Sequence, residues 1–338
     1  MVRDKHQLLM DYMSSLKLEH KDFEKRDMIM KNDSPYRLEY CRTYGHTENT
    51  HDGQMKLLLA DEWSIMLGLL HICEKSHTTL QGLGFGRLER EAAKVAVVVA
   101  GAAPGDHFAD LTKTFDFVDF HLYDPAPRVW CRPLFTLTNV SLYTQFFTVK
   151  TAEEWADKKK KRYEHVIFLS DLRTCGGKRF PSSDEVADDM KNQKEMTEKI
   201  EACYSVLKFR PRYYDETDPK AEDFRTLEYL DGTIYFQGYP TKTSTETRLH
   251  VTDTRSLKTY DTQIYQDQLF YHDQVTRNKN KVLFGPEELS YDNAHARFVK
   301  NFLLQNLQSV SEKQRDYYNQ LKFDHERIRS LLEDLSCM

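Results

Sequence analysis

The segment VAVVVAGAAPGDHFAD, at positions 95–110, constrains the fold of this 338-residue chain more than any other stretch. Val95–Ala100 is an unbroken apolar run rich in valine, which is typical of a central parallel strand covered by helices on both faces. Gly101 and Gly105 follow it and supply backbone freedom and room for a ligand to approach the main chain. Because ligands of open α/β sheets bind beyond the carboxyl ends of the strands, we predict a cofactor site at this corner.

The same loop indicates which kind of cofactor would bind. The next predicted strand ends in Asp124, about 20 residues after the glycines, the spacing at which an acidic side chain reaches a ribose hydroxyl. Dinucleotide folds carry G-x-G-x-x-G, whereas this loop has only G-x-x-x-G before a helix predicted from His107. A pyrophosphate needs the closer glycine spacing and S-adenosyl-L-methionine does not. The loop therefore favours S-adenosyl-L-methionine over a nicotinamide cofactor. The alternative, an ordinary glycine-bearing loop of an α/β protein, stays open.

Strand-like and helix-like segments alternate from position 94 to about 252, which is the pattern of a doubly wound sheet. The late strands TIYFQG and RLHVT follow one another without a helix, so we expect an antiparallel edge there. Helices are predicted over 4–30, over Gln54–Cys73 and from Pro286 to the end. The predicted fold class is α/β, with a doubly wound, mostly parallel sheet and added N- and C-terminal helices.

Three regions follow from this organisation. We predict an N-terminal helical extension at 1–53, a central domain at 54–284 and a C-terminal helical extension at 285–338. Phe298, Phe302 and Leu303 begin an apolar stripe in the last region. This stripe is compatible with packing on its own domain and equally with a helical face for a partner subunit.

Composition excludes several classes of protein. The net charge of −5 disfavours non-specific binding of nucleic acid, although the cations Lys158–Arg162 and those between Arg173 and Arg212 leave a local basic cleft open. The longest apolar run is far below the ~18 residues that span a bilayer, and the first residues lack the apolar core of a signal peptide. Six scattered cysteines without a C-x-x-C pair argue against a zinc cage or a disulfide framework. We expect no metal, no membrane association and a reducing, cytoplasmic compartment.

Four charged residues interrupt or end apolar elements: Lys56, Asp171, Lys208 and Glu246. Burying a charge is costly unless the charge is paired or serves a site. Singly, each is compatible with a snorkelling lysine or a salt-bridged acid. Together, they would form a proton-handling site with Lys208 as the base and the other three as its tuning and orienting partners.

Five segments carry a resemblance to a known family: GQMKLLL, VAGAAPGDH, IFLSDLRT, SVLKFRPRYYD and STETRLHV. In order and approximate spacing they resemble the poxvirus cap-specific mRNA (nucleoside-2′-O-)methyltransferases, which double as the small, processivity subunit of the viral poly(A) polymerase. The resemblance runs from about Asp52 to Lys279 and more loosely beyond. It implies a fold of the class I S-adenosylmethionine-dependent methyltransferase type, capped mRNA as substrate, a poly(A) polymerase catalytic subunit as partner, and a host-cytoplasmic, viral-factory or virion location.

The resemblance also implies residue roles. It places the Lys-Asp-Lys-Glu tetrad of RNA 2′-O-methyltransferases on the four charged residues named above. It places S-adenosyl-L-methionine along Gln54, Gly101, Gly105, His107, Asp124, Phe147 and Asp171. For the methylated cap base, it implies contacts from Tyr213, Asp215, Ser244 and Asp267, with Tyr36 matching a second stacking ring by spacing; a family carboxylate falls on Gln266, beside Asp267.

The expected function is methyl transfer to the ribose 2′-hydroxyl of the first transcribed nucleotide of N7-methylguanosine-capped RNA, together with a role as a poly(A) polymerase processivity subunit. Two alternatives stay open. One is a non-catalytic RNA-binding polymerase subunit that keeps a methyltransferase scaffold, and the other is a 2′-O-methyltransferase for RNA without a cap. A nicotinamide dehydrogenase is disfavoured by the missing middle glycine.

Overall fold

The predicted strand at Val95–Ala100 is present and lies in the middle of a seven-stranded sheet. The structure is a computed structural model, and it describes residues 23–32, 50–80, 94–126, 130–174, 181–214, 221–240, 244, 246–277, 281–284 and 287–306. The strands in these ranges are β1 Val95–Ala100, β2 Asp119–Tyr123, β3 Val140–Tyr143, β4 His165–Ser170, β5 Tyr204–Phe209, β6 Thr226–Leu230, β7 Thr233–Tyr235, β8 Thr247–Val251, β9 Leu257–Asp261, β10 Lys281–Phe284 and β11 Glu287–Ser290.

Six α-helices are present in the described ranges: α1 Thr50–Ser76, α2 Phe108–Thr114, α3 Val149–Glu154, α4 Ser183–Ile200, α5 Thr262–Tyr271 and α6 Tyr291–Asn306. Among the described residues, every helix is too short or too polar to span a bilayer. The same residues contain no group of three or more histidine, cysteine or acidic side chains placed to hold a metal ion.

The main sheet has the strand order β3-β2-β1-β4-β5-β8-β7. The neighbouring pairs from β3 to β5 are parallel, and β7 pairs with β8 in the antiparallel sense. The order of the first five strands is that of doubly wound folds. The predicted fold class, including its antiparallel late strands, is therefore confirmed.

The surroundings of strand β1 explain why its sequence is apolar without interruption. All six of its residues are buried, and Val98 pairs with His121 on β2 and with Phe168 on β4. A strand with neighbours on both edges and no solvent on either face has no position at which a polar side chain would be hydrated.

The described residues divide into two compact units. Within the described ranges, the first unit comprises 49–172, 192–207 and the residues from 299 onward. The second unit comprises the residues up to 48, 173–191 and 208–298. The first unit therefore contains β1 to β4, and the second contains β6 to β11 with helix α5.

Part of the predicted N-terminal helix is wrong. In the described part of the predicted 4–30 helix, Lys25–Met28 forms a 3-10 helix, and Ile29 has extended backbone angles and bridges Tyr235 on β7. The Met30 amide donates a hydrogen bond to the carbonyl of Ile234 at 2.9 Å. Pairing with the free edge of β7 satisfies the backbone here, and this outweighs the helical spacing of the apolar residues.

The C-terminal region also differs from the prediction. Helix α6 begins only at Tyr291, because Glu287–Ser290 forms β11 in an antiparallel pair with β10. Within the first unit, Phe302 contacts Trp63 on α1 with ring centroids 5.0 Å apart, and Leu303 is fully buried. This part of the predicted apolar stripe packs on its own protein, and positions 307–338 lie outside the described residues.

Three histidines are buried in the core of the second unit. His272 stacks on Phe236 with ring centroids 3.7 Å apart, and His295 lies against Phe23. Burial lowers the pKa of His250 to about 3 and that of His295 to about 4. Burial likewise lowers the pKa of His272 well below its ordinary value. All three histidines are therefore neutral in the folded protein near pH 7.

We predict that the protein loses stability as the pH falls below about 6.5. The unfolded chain binds protons on these histidines from that pH downward, whereas the folded chain keeps His295 neutral until about pH 4. Urea unfolding near pH 7.5 and near pH 5 should differ by roughly 1–2 kcal/mol per histidine. His295→Phe should reduce this difference and exposed His77→Asn should not; an unfolding free energy independent of pH would contradict the prediction.

Candidate active site

The loop after β1 contains two glycines in left-handed backbone conformations. Gly101 has φ +83° and Gly105 has φ +82°. A Cβ atom on Gly101 would lie 3.1 Å from the backbone carbon and oxygen of Asp171, and one on Gly105 would lie 2.9 Å from a methyl group of Leu134. The backbone angles and the tight packing of neighbouring protein atoms therefore require both glycines. The glycine spacing predicts room for a ligand at these positions, whereas protein atoms of Asp171 and Leu134 lie there in the structure.

Asp124 connects the end of β2 to this loop. Its carboxylate accepts hydrogen bonds from the amides of Ala103 at 3.2 Å and Ala126 at 2.9 Å. Asp124 is half-buried, and an ionised carboxylate has about four acceptor positions. Acceptor capacity remains for a diol such as that of a ribose, so this residue fits the role that its spacing predicts.

His107 lies directly before α2 and is buried against α1. Its Nε2 atom lies 3.0 Å from a carboxylate oxygen of Asp61. Its Nδ1 atom is buried and has no hydrogen-bond partner among the described residues. Asp61 was not predicted as a site residue, because its only signal in the sequence is a pair of acidic residues, Asp61 and Glu62, in a largely apolar helix. The buried ring nitrogen is compatible with a polar ligand beside the loop.

The other predicted cofactor residues lie in the same first unit. Phe147 is buried, with its ring centroid 5.0 Å from that of Tyr123 and 5.3 Å from that of Phe168.

The backbone amide of Asp171 donates to the carbonyl of Ala100 at the end of β1. Lys56 is half-buried on α1, and Gln54 also lies on α1, although its side chain is outside the described part.

Lys208 and Glu246 are brought together in the second unit. The Lys208 Nζ atom lies 3.6 Å from Oε2 of Glu246, and their side chains are only 13% and 18% exposed. The amide of Glu246 donates to Oγ of Ser244 at 3.3 Å. Lys208 and Glu246, two of the four charged residues singled out in the sequence, are therefore paired in the folded chain.

Arg173 is a third charged residue in this cluster and is not among the site residues predicted from the sequence. Its Nε atom donates a hydrogen bond of 3.3 Å to Oε1 of Glu246, and its side chain is only 8% exposed. The available signal was its position two residues after Asp171 in the segment SDLRT. One half-buried carboxylate, that of Glu246, therefore contacts two cations, Arg173 and Lys208.

The predicted cap residues that the structure describes lie in the second unit: Tyr213 after β5, Ser244 shortly before β8, and Asp267 on α5. The guanidinium of Arg210 covers one face of the Tyr213 ring at 4.3 Å from the centroid. Gln266 is buried, and its Nε2 atom donates to the carbonyl of Tyr214 at 3.4 Å. Its Oε1 atom is buried without a hydrogen-bond partner among the described residues. Asp267 is half-buried on α5, and Tyr36 and Asp215 lie outside the described residues.

The sheet order, the glycine loop after β1 and the acidic residue after β2 define an α/β protein whose fold is consistent with the Rossmann-like methyltransferase type. The family model described as "Poly A polymerase regulatory subunit" matches residues 26–333, nearly the whole chain. The chain belongs to the poly(A) polymerase regulatory subunit family, which confirms the family predicted from its sequence. A regulatory subunit implies a polymerase catalytic subunit as partner.

We predict that Gly101→Ala destabilises the protein by roughly 1–3 kcal/mol. An alanine at φ +83° is strained, and its Cβ would press on the backbone of Asp171 at 3.1 Å. Thermal denaturation measures the loss. Ala103→Gly, two residues away in the same loop, is the control and should cost less; equal stability of Gly101→Ala and the wild type would refute this account of the loop.

Proposed function

We propose that this protein is an RNA cap 2′-O-methyltransferase as well as a polymerase regulatory subunit. It would transfer a methyl group from S-adenosyl-L-methionine to the ribose 2′-hydroxyl of the first transcribed nucleotide of N7-methylguanosine-capped RNA. The observation that carries the proposal is the Lys208–Glu246 pair, whose side chains are only 13% and 18% exposed. A subunit that only bound RNA would have no need of a half-buried lysine matched to a carboxylate, since phosphates are bound by exposed cations.

The first unit has groups that fit the methyl donor. The Asp124 carboxylate has acceptor capacity for ribose hydroxyls, and His107 has a buried ring nitrogen without a partner among the described residues. Gly101 and Gly105 set the course of the loop between them. We assign Gln54, Phe147 and Asp171 to the same donor by the sequence resemblance. When bound, S-adenosyl-L-methionine supplies an electrophilic methyl group on a sulfonium.

Lys208 would act on the ribose hydroxyl. A 2′-hydroxyl is a very weak acid, so its oxygen attacks best when a base takes its proton as the new C–O bond forms and the C–S bond breaks. Lys208 in its amine form accepts that proton, and the Glu246 carboxylate stabilises the resulting ammonium. Lys56 and Asp171 complete the charged set, again by resemblance.

The second unit has groups that fit the methylated cap base. Tyr213 has an aromatic face for a positively charged 7-methylguanine, which aromatic rings prefer over the neutral base. Gln266 has a buried carbonyl oxygen that could accept an N–H group of the base edge. Asp215, Ser244 and Asp267 are assigned to the same pocket by resemblance, and Tyr36 to its second ring.

A second candidate function is RNA binding for the polymerase without catalysis, on a methyltransferase scaffold. It is favoured by the family description, which names a regulatory subunit. The two functions can coexist in one chain, so the discriminating measurement is methyl transfer itself.

The test is incubation with labelled S-adenosyl-L-methionine and one RNA in three forms: capped with N7-methylguanosine, capped with guanosine, and uncapped. We predict methylation of the first form above all, mapped to the 2′-oxygen of the first transcribed nucleotide. Lys208→Ala should lower the rate at least about 100-fold through loss of the base, and Lys194→Ala, whose partner is Glu198 on a helix surface, should not.

Two different outcomes would contradict the mechanism and the catalytic function, respectively. Full methyl transfer by Lys208→Ala would refute the mechanism. RNA binding and polymerase stimulation by a wild type that transfers no methyl group would favour the non-catalytic alternative.

We also predict that Tyr213→Ala weakens binding of capped RNA about tenfold or more, because stacking of a base on an aromatic ring is lost. Tyr213→Phe keeps the ring and should bind nearly as the wild type does. Fluorescence titration with a short capped RNA measures the dissociation constants. Unchanged binding and methylation of capped RNA by Tyr213→Ala would favour a 2′-O-methyltransferase that does not read the cap.

A further inference from the structure

We infer that Arg173 is a positioning residue for methyl transfer, which holds the Glu246 carboxylate in place and thereby directs Lys208. The inference rests on the proposed function and adds to it a residue that the sequence resemblance does not assign. Arg173 would touch neither the substrate nor the methyl donor in this role, since it acts through Glu246.

The two oxygens of Glu246 have different partners. Oε1 accepts a hydrogen bond from Arg173 Nε at 3.3 Å, whereas Oε2 lies 3.6 Å from Lys208 Nζ. Arg173 therefore makes the closer contact, and rotation of the carboxylate away from Arg173 would also move Oε2 relative to Lys208. Arg173 therefore sets the orientation of the Glu246 carboxylate that Lys208 contacts.

The charges of the two cations behave differently during the proposed reaction. Arg173 stays protonated at any pH that proteins experience, whereas Lys208 gains a proton in the proposed step. A carboxylate held by lysine alone would lose its cation whenever the lysine is neutral. Arg173 supplies a permanent counter-charge, so Glu246 remains in place for both protonation states of Lys208.

Burial strengthens the electrostatic contact between Arg173 and Glu246. The side chains of Arg173, Lys208 and Glu246 are 8%, 13% and 18% exposed, so solvent screens their interactions little. Removing the guanidinium would leave the carboxylate with less compensation in a poorly hydrated place, which favours its closer approach to Lys208.

The backbone of Glu246 is fixed by other groups. Its amide donates to Oγ of Ser244 at 3.3 Å, and its carbonyl accepts from Nε2 of Gln237 at 2.9 Å. Glu246 directly precedes β8, whose Thr247 bonds the carbonyl of Phe209 at 3.3 Å. A substitution of Arg173 should therefore change the orientation of the carboxylate while the chain around it keeps its course.

The experiment compares Arg173→Met, Arg173→Lys, Glu246→Gln and the double variant Arg173→Met/Glu246→Gln in methylation of capped RNA. We expect Arg173→Met to lower kcat about 10- to 100-fold with KM values for RNA and S-adenosyl-L-methionine nearly unchanged, because a displaced catalytic group slows the chemical step. Arg173→Lys should restore part of kcat. The double variant should be no slower than Glu246→Gln, because Arg173 acts only through Glu246.

Arg255→Met is the matched control, since Arg255 also bonds a carboxylate, that of Asp253, but its side chain is 90% exposed. It should keep the wild-type kcat. Thermal denaturation of every variant reports structural damage separately.

Three results would overturn the inference: a wild-type kcat for Arg173→Met, losses that multiply in the double variant, or a loss in Arg173→Met and Arg173→Lys that follows a fall in thermal midpoint. In the first two cases the active wild type leaves the proposed function standing. A wild type that transfers no methyl group would overturn the proposed function and this inference together.

Discussion

The complete burial of strand β1 is the constraint on which the rest of the structure depends. Its six residues are covered on both faces and paired on both edges, with β2 and β4. This fixes the point at which the chain leaves the sheet, at Gly101. The amides of Gly101 and Ala102 bond the carbonyl of Tyr123 at 2.9 Å and 3.1 Å, and the amide of Asp171 bonds that of Ala100. The ends of three parallel strands are thus held together by backbone hydrogen bonds, and a loop with a defined course lies beyond them.

The placement of charged side chains also shapes the structure. Burying a charge costs free energy, which explains why the charged residues of the site are paired. A lysine 13% exposed and a carboxylate 18% exposed would each be costly alone. In the second unit they contact one another, and Arg173 contributes a further cation that is permanently charged. Two cations therefore compensate the Glu246 carboxylate in a poorly hydrated place, which offsets the cost of holding that charge there.

The fold was largely predictable because its strongest signals are local. The run Val95–Ala100 and the helix around Gln54–Cys73 were both recognised, and the helix extends over Thr50–Ser76. One error concerns elements that are far apart in sequence, since residues near Ile29 form a bridge with Tyr235 and no local pattern reveals this. The other concerns the adjacent strands β10 and β11, whose pairing replaces the predicted start of the C-terminal helix. Edge pairing satisfies backbone groups, and the sequence near Ile29 does not record which edge is free.

The candidate site, like the fold, was predictable from the sequence only in part. The sequence by itself determined which residue types could do chemistry: the glycine loop, an acidic residue after the second strand, and two lysines and two acids on apolar elements. Only the tertiary structure decided how they are held. It placed Leu134 and the Asp171 backbone over the glycines, Asp61 against His107, and Arg173 on Glu246. The physical reason is that a motif follows from adjacent residues, whereas the cost of burying a charge is met by whichever partner the folded chain brings within reach.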